Sequence, residues 1–338
     1  MKTIEWREDG VYIIDQTKLP HQLVLIKCDD YERIAIAIER MEIRGAPAIG
    51  VAAAMGVALA AKKAANGSLE EIKKELDKAL RRLQRTRPTA RNLFWALERM
   101  KSVWSSADSP SQIVKKVVDE AIKISEEDVA ACRAIGKFGA ELISDGDRIL
   151  THCNAGGLAC VEYGTALGVI RAAHESGKEI FVYASETRPL LQGARLTAFE
   201  LKTEGIPFKL ITDNMAAHLM QRRLIDKVIV GADRITRDGC VFNKIGTYGL
   251  AILAKAHGLP FYVAAPVSTI DLNITPDRVI IEERDPNEVL YINNVRIAPE
   301  GTKALNPAFD MTPGELVSAI ITDKGVAHPP YDLSLLLR

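Results

Sequence analysis

The sequence predicts an α/β protein in which a mainly helical N-terminal domain precedes a Rossmann-like domain with a doubly wound parallel sheet. Before residue 147 most segments have the periodicity of helices, whereas after it short β-branched runs alternate with helical patterns. The length of 338 residues also exceeds what one hydrophobic core usually fills. We therefore expect two domains, a helical one with a small N-terminal β element at 1–145 and a catalytic α/β one at 146–338.

Five helices are predicted in the N-terminal domain, and only residues 3–15 indicate a small hairpin or sheet. Ser68 and Glu71 form an S-x-x-E capping box, which is typical of a helix start. Pro88 and Pro110 each precede a new helical pattern, as expected for proline in a first turn. The predicted helices cover residues 31–42, 46–61, 69–85, 92–103 and 110–143.

Strands and helices alternate in the C-terminal domain, which favours βαβ units and a parallel sheet. The predicted strands are 148–152, 179–184, 208–212, 227–231 and 261–265, and the predicted helices are about 157–175, 190–204, 214–223 and 246–258. In sheets of this kind, ligands bind beyond the carboxyl ends of the strands. We therefore expect the functional residues at those ends.

Composition excludes several classes of protein. Hydrophobic residues make up 47% of the chain, and Lys+Arg and Asp+Glu both number 44, so the formal net charge is +0. Without a basic excess we expect a small-molecule substrate and no nucleic acid. The apolar run Ala46–Ala61 is shorter than the roughly 20 residues of a membrane span, so it predicts a buried core helix and no membrane partner.

The cysteines and the N-terminal segment indicate a cytoplasmic location. The five cysteines are widely spaced and contain no C-x-x-C pair, so neither a disulfide framework nor a zinc site is predicted. The N-terminal segment MKTIEWREDGVYIIDQTKLP lacks the apolar run of a signal peptide.

Polar and ionisable residues follow four of the predicted strands. They are Cys153 and Asn154 after the first, Glu186 and Arg188 after the second, Asp213 and Asn214 after the third, and Asp233 and Arg234 after the fourth. Because parallel strands end at one edge of the sheet, these side chains predict a site there. No nucleotide-binding or nucleophile-elbow motif accompanies them.

From the residues alone, Cys153, Asp233 and Arg44 each have two interpretations. Cys153 is either a small inert core residue or a thiol activated by a Gly-rich turn and helix N-terminus. Asp233 is either a turn residue or a desolvated general acid. Arg44 precedes a predicted helix start, where the helix dipole disfavours a cation unless an anion joins it. These alternatives stay open at this level.

Longer motifs, spread over nearly the whole chain, occur in an order typical of one family. They are 13–20 (IIDQTKLP), 43–50 (IRGAPAIG), 85–90 (RTRPTA), 151–156 (THCNAG), 186–189 (ETRP), 191–197 (LQGARLT), 231–235 (GADRI) and 243–248 (NKIGTY). Through these motifs the chain resembles the methylthioribose-1-phosphate isomerases of methionine salvage, which belong to the superfamily of initiation factor 2B alpha, beta and delta subunits.

The resemblance implies an aldose–ketose isomerase that converts 5-methylthioribose 1-phosphate to 5-methylthioribulose 1-phosphate. It implies a catalytic pair, Cys153 and Asp233, with Asp233 as proton donor. It also implies a homodimer that uses no cofactor and no metal. The substrate-binding residues that it implies are Arg44, Gly45, Ala46, Arg87, Gln192, Asn243 and Lys244.

Two relatives with other functions share this fold. A ribose-1,5-bisphosphate isomerase also uses a Cys and an Asp, but we expect a glycine at the position of Pro47 and a second phosphate pocket. A regulatory subunit of initiation factor 2B, which is not an enzyme, tends to lack the Cys and Asp pair that this chain has. Activity on 5-deoxyribose 1-phosphate, and the choice between proton and hydride transfer, stay open.

Overall fold

The structure is a computed structural model that describes residues 1–104, 107 and 109–337. The chain forms two compact units. The first contains Met1–Arg133 and Gly156–Thr165, and the second contains Ala134–Ala155 and Ala166–Arg338. The domain boundary expected at 145/146 stays a prediction, because compact packing does not show which segment folds independently.

A three-stranded antiparallel sheet begins the first unit. Its strands are β1 (Ile4–Arg7), β2 (Gly10–Ile14) and β3 (Leu25–Cys28), paired in the order β1-β2-β3. The first two form the hairpin that the sequence predicts. The third was not predicted, because its residues Leu25 and Lys27 are both exposed and the segment shows no clear alternation of apolar and polar residues.

Five helices follow, and all five were predicted. They are α1 (Tyr31–Glu39), α2 (Ala46–Lys63), α3 (Leu69–Gln84), α4 (Arg91–Trp104) and α5 (Pro110–Ala140). The expected capping box is present, with the Ser68 hydroxyl and the Glu71 carboxylate each bonded to the other's backbone N–H. Asp30 caps α1 in a similar way through the backbone N–H of Arg33.

Helix α2 lies at the centre of the first unit's hydrophobic core. Within the part of the chain that the structure describes, it is the one helix long and apolar enough to cross a membrane, yet 83% of it is buried inside the protein. It is therefore a buried helix of the first unit's core. A β-carbon on Gly50 would come within 2.9 Å of the carbonyl oxygen of Asn92, so α4 packs closely against the glycine.

The second unit contains thirteen strands and five helices that lie wholly within it. The strands are β4 (Arg148–Thr151), β5 (Phe181–Ser185), β6 (Phe208–Ile211), β7 (Lys227–Val230), β8 (Arg234–Thr236), β9 (Val241–Lys244), β10 (Phe261–Ala264), β11 (Ile270–Asp271), β12 (Tyr291–Ile292), β13 (Val295–Arg296), β14 (Phe309–Thr312), β15 (Ala319–Thr322) and β16 (Gly325–Ala327). The helices are α6 (Ala166–Glu175), α7 (Ala198–Thr203), α8 (Met215–Gln221), α9 (Thr247–Ala256) and the short α10 (Asn287–Leu290). These counts refer to the described residues only.

The main sheet has the strand order β16-β15-β10-β7-β4-β5-β6, and all its pairs are parallel except β15 with β16. The chain starts in the middle with β4, moves to β5 and β6 on one side, and then continues at β7 on the other. The position between β4 and β7 is therefore the topological switch point, where a crevice forms at the carboxyl ends of the strands.

Both faces of this sheet are covered, which confirms the doubly wound α/β architecture. The neighbouring residues Ile149 and Leu150 belong to different hydrophobic clusters, and so do Ile229 and Val230, as the alternation of side chains along a strand requires. One cluster contains residues of α6 and α7, and the other contains residues of α8 and α9.

Two of the predicted helices differ from the structure. The helix expected at 157–175 begins only at Ala166, and residues 157–159 form a single 3₁₀ turn. The helix expected at 190–204 contains a π-helical turn, Gly193–Thr197, before α7. The sequence also did not predict the small sheet of order β11-β8-β9-β14.

Candidate active site

Cys153 and Asp233 follow the two strands that form the switch point. Cys153 lies two residues beyond the end of β4, and Asp233 lies three residues beyond the end of β7. The two strands pair in parallel, with Thr151 opposite Ile229. Both residues therefore lie at the carboxyl edge of the sheet, at the crevice where α/β proteins bind ligands.

The backbone of Cys153 has an unusual conformation. Its φ is 61°, in the left-handed region that residues with a side chain rarely adopt. Its side chain is half-buried, whereas His152 and Asn154 on either side are buried. The helix that was expected directly after this segment begins only at Ala166, so activation of the thiol by a helix N-terminus stays a prediction.

His152 is a structural residue of the sheet edge. Its Nε2 lies 2.9 Å from the carbonyl oxygen of Ile245, which can only accept, so Nε2 carries the proton. Its Nδ1 then accepts from the Ser185 hydroxyl at 2.6 Å. Burial lowers the pKa of His152, which keeps the ring neutral. The ring thus links the ends of β4 and β5 to the segment after β9.

Asp233 lies at the start of the hairpin formed by β8 and β9. Its backbone N–H donates to the carbonyl oxygen of Phe242 at 2.9 Å, and its side chain is half-buried. Arg234 pairs with Phe242 across the hairpin, so the next position along each strand places Asn243 beside Asp233. The position of Asp233 is thus fixed from its backbone, independently of its carboxyl group.

Asn243 and Lys244 end β9 and precede α9. The buried Asn243 amide donates to the Thr247 hydroxyl at 3.0 Å, which orients its oxygen away from that contact. The Lys244 ammonium donates to the carbonyl oxygen of Ala308 at 3.1 Å and lies 4.7 Å from the centre of the Phe309 ring. The hairpin therefore adds an amide and a cation to the segment that contains Asp233.

Gln192 is buried, and its Oε1 has no hydrogen-bond partner among the described residues. A buried acceptor without a donor costs about 1–3 kcal/mol, so this oxygen is available to a donor that the described residues do not supply. Gln192 comes directly before the π-helical turn, a distortion that is frequent at functional sites. The first residue of this turn is Gly193, where a β-carbon would lie 1.7 Å from the carbonyl oxygen of Ser185.

The other predicted binding residues belong to the first unit. The buried Arg44 donates from Nε to the Oε1 of Gln16 at 3.0 Å. Gly45 has φ 97°, and a β-carbon there would lie 2.5 Å from the Cα of Ala159, so only glycine fits. Ala46 is the first residue of α2, and Arg87 is half-buried in the turn between α3 and α4.

One cluster of possible metal ligands lies within the first unit. Asp128 and Cys132 are one helical turn apart on α5, and their ligand atoms and that of Cys160 lie within 4.8 Å of one another. A hydrogen bond with Cys160 and burial raise the pKa of the Cys132 thiol, and burial raises the pKa of Asp128 to about 7. Burial and the contact between the two thiols thus favour the protonated forms of Asp128 and Cys132.

Three residues of the site region were not singled out from the sequence. Gln16 holds Arg44, and Thr187 and Thr197 bind the backbone of Cys153. All three lie inside the longer family motifs, so the signal was present. Threonine and glutamine are too common in turns and cores for residue type alone to identify them.

Comparison with known proteins gives a consistent result. Residues 42–329 match the sequence profile of the Initiation factor 2 subunit family. A methylthioribose-1-phosphate isomerase of Geotalea uraniireducens is 54% identical over 337 residues, which cover 99% of this chain and 97% of the relative. The structure of 5-methylthioribose 1-phosphate isomerase from Pyrococcus horikoshii OT3 has a TM-score of 0.93 at 46% identity and covers 99% of this chain and 95% of its own.

A second solved structure is similar over the complete length of both chains. It is described as translation initiation factor eIF-2B, subunit delta, from A. fulgidus, with a TM-score of 0.89 at 49% identity and 100% coverage of each chain. Proteins described as enzymes and proteins described as translation factors therefore share this fold. The fold alone does not separate these two functions, so the residues of the site have to.

Proposed function

The chain belongs to the Initiation factor 2 subunit family and, within it, to the methylthioribose-1-phosphate isomerases, and from this premise we propose how its residues work. It is an isomerase that converts 5-methylthioribose 1-phosphate to 5-methylthioribulose 1-phosphate in methionine salvage. The observation that supports an enzymatic site is the position of Cys153 and Asp233 beyond the two strands of the switch point.

Asp233 acts as the proton donor in ring opening. The anomeric oxygen of the substrate carries phosphate, so the sugar has no free aldehyde and the ring C–O bond must break with the phosphate attached. A protonated carboxyl beside the ring oxygen supplies the proton for this step. The half-buried position of Asp233 at a strand end, with its backbone already fixed by Phe242, supports this role.

Cys153 acts as the catalytic partner in the second step, in which a hydrogen moves between C2 and C1. In a proton-transfer route its thiolate removes the C2 proton; in a hydride-transfer route its sulfur stabilises the charge that develops. Its half-buried side chain between two buried neighbours supports a position facing the substrate. The two routes differ in whether the migrating hydrogen exchanges with solvent.

The remaining residues bind the substrate. The cationic groups are those of Arg44, Arg87 and Lys244, and they hold phosphate or offset developing charge, because charge-assisted hydrogen bonds are the strong ones. The buried Oε1 of Gln192 accepts from a sugar hydroxyl, which gives it the donor it lacks. Asn243 binds a second polar group of the sugar, and Gly45 and Ala46 let the substrate approach the backbone at the start of α2.

We also propose that the protein works as a cytoplasmic homodimer without a cofactor. Exposed apolar side chains on neighbouring elements of the second unit support a subunit interface. They are Met215 on α8, Tyr248 and Ile252 on α9, and Met311 on β14. Light scattering coupled to gel filtration tests the dimer, and a monomer at micromolar concentration would contradict it.

A regulatory role in translation initiation is the competing candidate, because the similar A. fulgidus structure has that description. Such a role requires no catalytic pair. This chain retains Cys153 and Asp233 at the ligand-binding edge, and it also retains a buried acceptor in Gln192 that lacks a donor among the described residues. These features favour the enzyme.

The test is direct incubation of the purified protein with 5-methylthioribose 1-phosphate and, separately, with ribose 1,5-bisphosphate. Phosphorus NMR distinguishes the anomeric phosphate of the substrate from the C1 phosphate of the ketose. We expect ketose from the methylthio sugar only. Ketose from the bisphosphate alone would assign the enzyme to that substrate, and no ketose from either would contradict the proposed activity.

A further inference from the structure

Two buried threonine hydroxyls bind the backbone of Cys153 on both sides. The N–H of Cys153 donates to the Oγ1 of Thr187 at 2.8 Å. The carbonyl oxygen of Cys153 accepts from the hydroxyl of Thr197 at 2.6 Å. Both threonines are fully buried, one just beyond β5 and the other at the end of the π-helical turn.

The conformation that these contacts hold is a strained one. Left-handed backbone at a residue with a side chain costs of the order of 1–3 kcal/mol and persists only where the surroundings enforce it. Glycine would adopt the φ of 61° without this cost, yet the chain has a cysteine at this position. We therefore infer that the thiol of Cys153 contributes to function, because its presence is maintained at a cost in conformational free energy.

Each threonine hydroxyl is itself fixed by a second partner. Thr187 donates to the carbonyl oxygen of Ser185 at 3.2 Å, and Thr197 accepts from the amide of Asn154 at 3.2 Å. That amide also donates to Glu200 at 2.8 Å. Neither hydroxyl can turn away without breaking a further bond, so the directions of both contacts to Cys153 are set in advance.

The segment that contains Thr187 is anchored from a third strand. The two carboxylate oxygens of Asp213 accept from the N–H of Thr187 at 2.8 Å and from the N–H of Arg188 at 2.7 Å. Asp213 follows β6, so the carboxyl ends of β4, β5 and β6 are connected through one chain of hydrogen bonds. This series of hydrogen bonds ends at the backbone N–H of Cys153.

We propose that Thr187 and Thr197 are positioning residues that fix the left-handed peptide of Cys153 and thereby the location of its thiol at the substrate. The inference rests on the proposed function, because it takes Cys153 as a catalytic residue. It assigns the threonines no contact with the substrate. Since a displacement of about 1 Å can lower a rate about 10²-fold, the loss of one hydroxyl is expected to act on turnover.

The experiment compares Thr187→Val and Thr197→Val with Thr187→Ser and Thr197→Ser. Valine keeps the branched shape and removes the hydroxyl, whereas serine keeps the hydroxyl. We expect each valine variant to lower kcat about 10- to 100-fold with little change in KM, and each serine variant to recover most of the turnover. Equal turnover in the valine and serine variants would contradict the proposal.

The same substitutions in a Cys153→Ala background separate positioning from a general structural effect. If the threonines act through the thiol, Thr197→Val lowers the turnover of the wild type but not the residual turnover of Cys153→Ala. An equal loss in both backgrounds would mean that the hydroxyl serves the fold, and the inference would be wrong.

A second readout does not depend on activity. The rate of alkylation of Cys153 by iodoacetamide, followed on its peptide by mass spectrometry, is expected to change in the valine variants and not in the serine variants. Should a valine variant fail to fold, Thr187→Ala and Thr197→Ala replace it, and unchanged turnover and alkylation in them contradict the inference. Normal turnover of Cys153→Ala would instead contradict the catalytic role of Cys153.

Discussion

The Nε of Arg44 donates a hydrogen bond of 3.0 Å to the Oε1 of Gln16, and both side chains are buried in the first unit. The amide of Gln16 in turn donates to the carbonyl oxygen of Leu158 at 2.7 Å. Glutamine can make both contacts because it has an acceptor oxygen and a donor nitrogen. Gln16 therefore fixes the guanidinium of Arg44 relative to the turn at 157–159.

Replacing Gln16 by leucine should weaken substrate binding more than turnover. Gln16→Leu removes the acceptor that orients Arg44, and a group that binds the phosphate equally in substrate and transition state affects KM alone. We expect KM to rise about 10-fold or more with kcat within a few fold, measured by steady-state kinetics. Gln22→Leu, at an exposed glutamine, is the control, and equal KM values for the two variants would contradict the role of Gln16.

Replacing Asp233 by asparagine should remove turnover and preserve binding. The backbone N–H of residue 233 donates to Phe242, and Asp233→Asn leaves this bond in place while it removes the acidic proton. Loss of one acid–base group typically costs about 10²- to 10⁴-fold in rate. Kinetics and calorimetric titration measure the two effects.

Asp238→Asn is a matched control for Asp233→Asn, because Asp238 is exposed in the turn of the same hairpin. We expect this variant to keep wild-type kinetics. Near-normal turnover of Asp233→Asn would exclude the proton-donor role, and loss of binding would show that the carboxylate serves the substrate complex instead.

Adding a methyl group at Gly193 should destabilise the second unit. The β-carbon of alanine would lie 1.7 Å from the carbonyl oxygen of Ser185, a backbone atom that cannot turn aside. Gly193→Ala must therefore displace the π-helical turn from β5, and overpacking of this kind typically costs about 1–3 kcal/mol. A fall in the midpoint of thermal unfolding, followed by circular dichroism, is expected.

Gly249→Ala is the matched control, because Gly249 is an exposed residue of α9 with space for a methyl group. Outside the backbone of its own helix, a β-carbon added at Gly249 would meet no described atom within 4 Å. Alanine is also favoured over glycine in a helix by roughly 0.5–1 kcal/mol. We expect an unchanged or higher midpoint. A Gly193→Ala variant as stable as Gly249→Ala would show that the turn can move freely.

Most helices and strands with a clear periodicity were predicted from the sequence. The prediction failed for a segment that packs against residues distant from it in the chain. The Gly-rich segment after Cys153 resembles a strand-to-helix turn, which is why a helix was expected from 157. In the structure Val161 belongs to the hydrophobic core of the first unit, and the N–H of Thr3 donates to its carbonyl oxygen at 2.7 Å. No local pattern encodes such a contact.

The candidate site shows the same limit. The family resemblance identified Cys153 and Asp233, and the predicted strands placed both residues at one edge of the sheet. The switch point could not be predicted, because it depends on the order of the strands within the sheet. The support of Cys153 by Thr187 and Thr197 depends on a left-handed residue and a π-helical turn. Neither has a periodicity that could be recognised beforehand.

The contact of Asp128 with Cys132 and Cys160 should make stability depend on pH. Burial raises the pKa of Asp128 to about 7, although the N–H of Val161 partly opposes the shift. The folded protein therefore binds a proton between about pH 4 and 7 that the unfolded chain releases. Stability from this group is complete below about pH 4 and is lost progressively as the pH rises to about 7.

Asp128→Asn should remove this dependence. The amide oxygen can still accept from the N–H of Val161, but the residue no longer titrates, and the raised pKa of Cys132 keeps that thiol protonated over the same range. We expect the unfolding midpoint of the wild type to fall between pH 5 and 8 by more than that of Asp128→Asn. Asp119→Asn, on the exposed face of α5, should retain the wild-type profile. Parallel profiles for wild type and Asp128→Asn would contradict the assignment, because other titrating groups are common to both proteins.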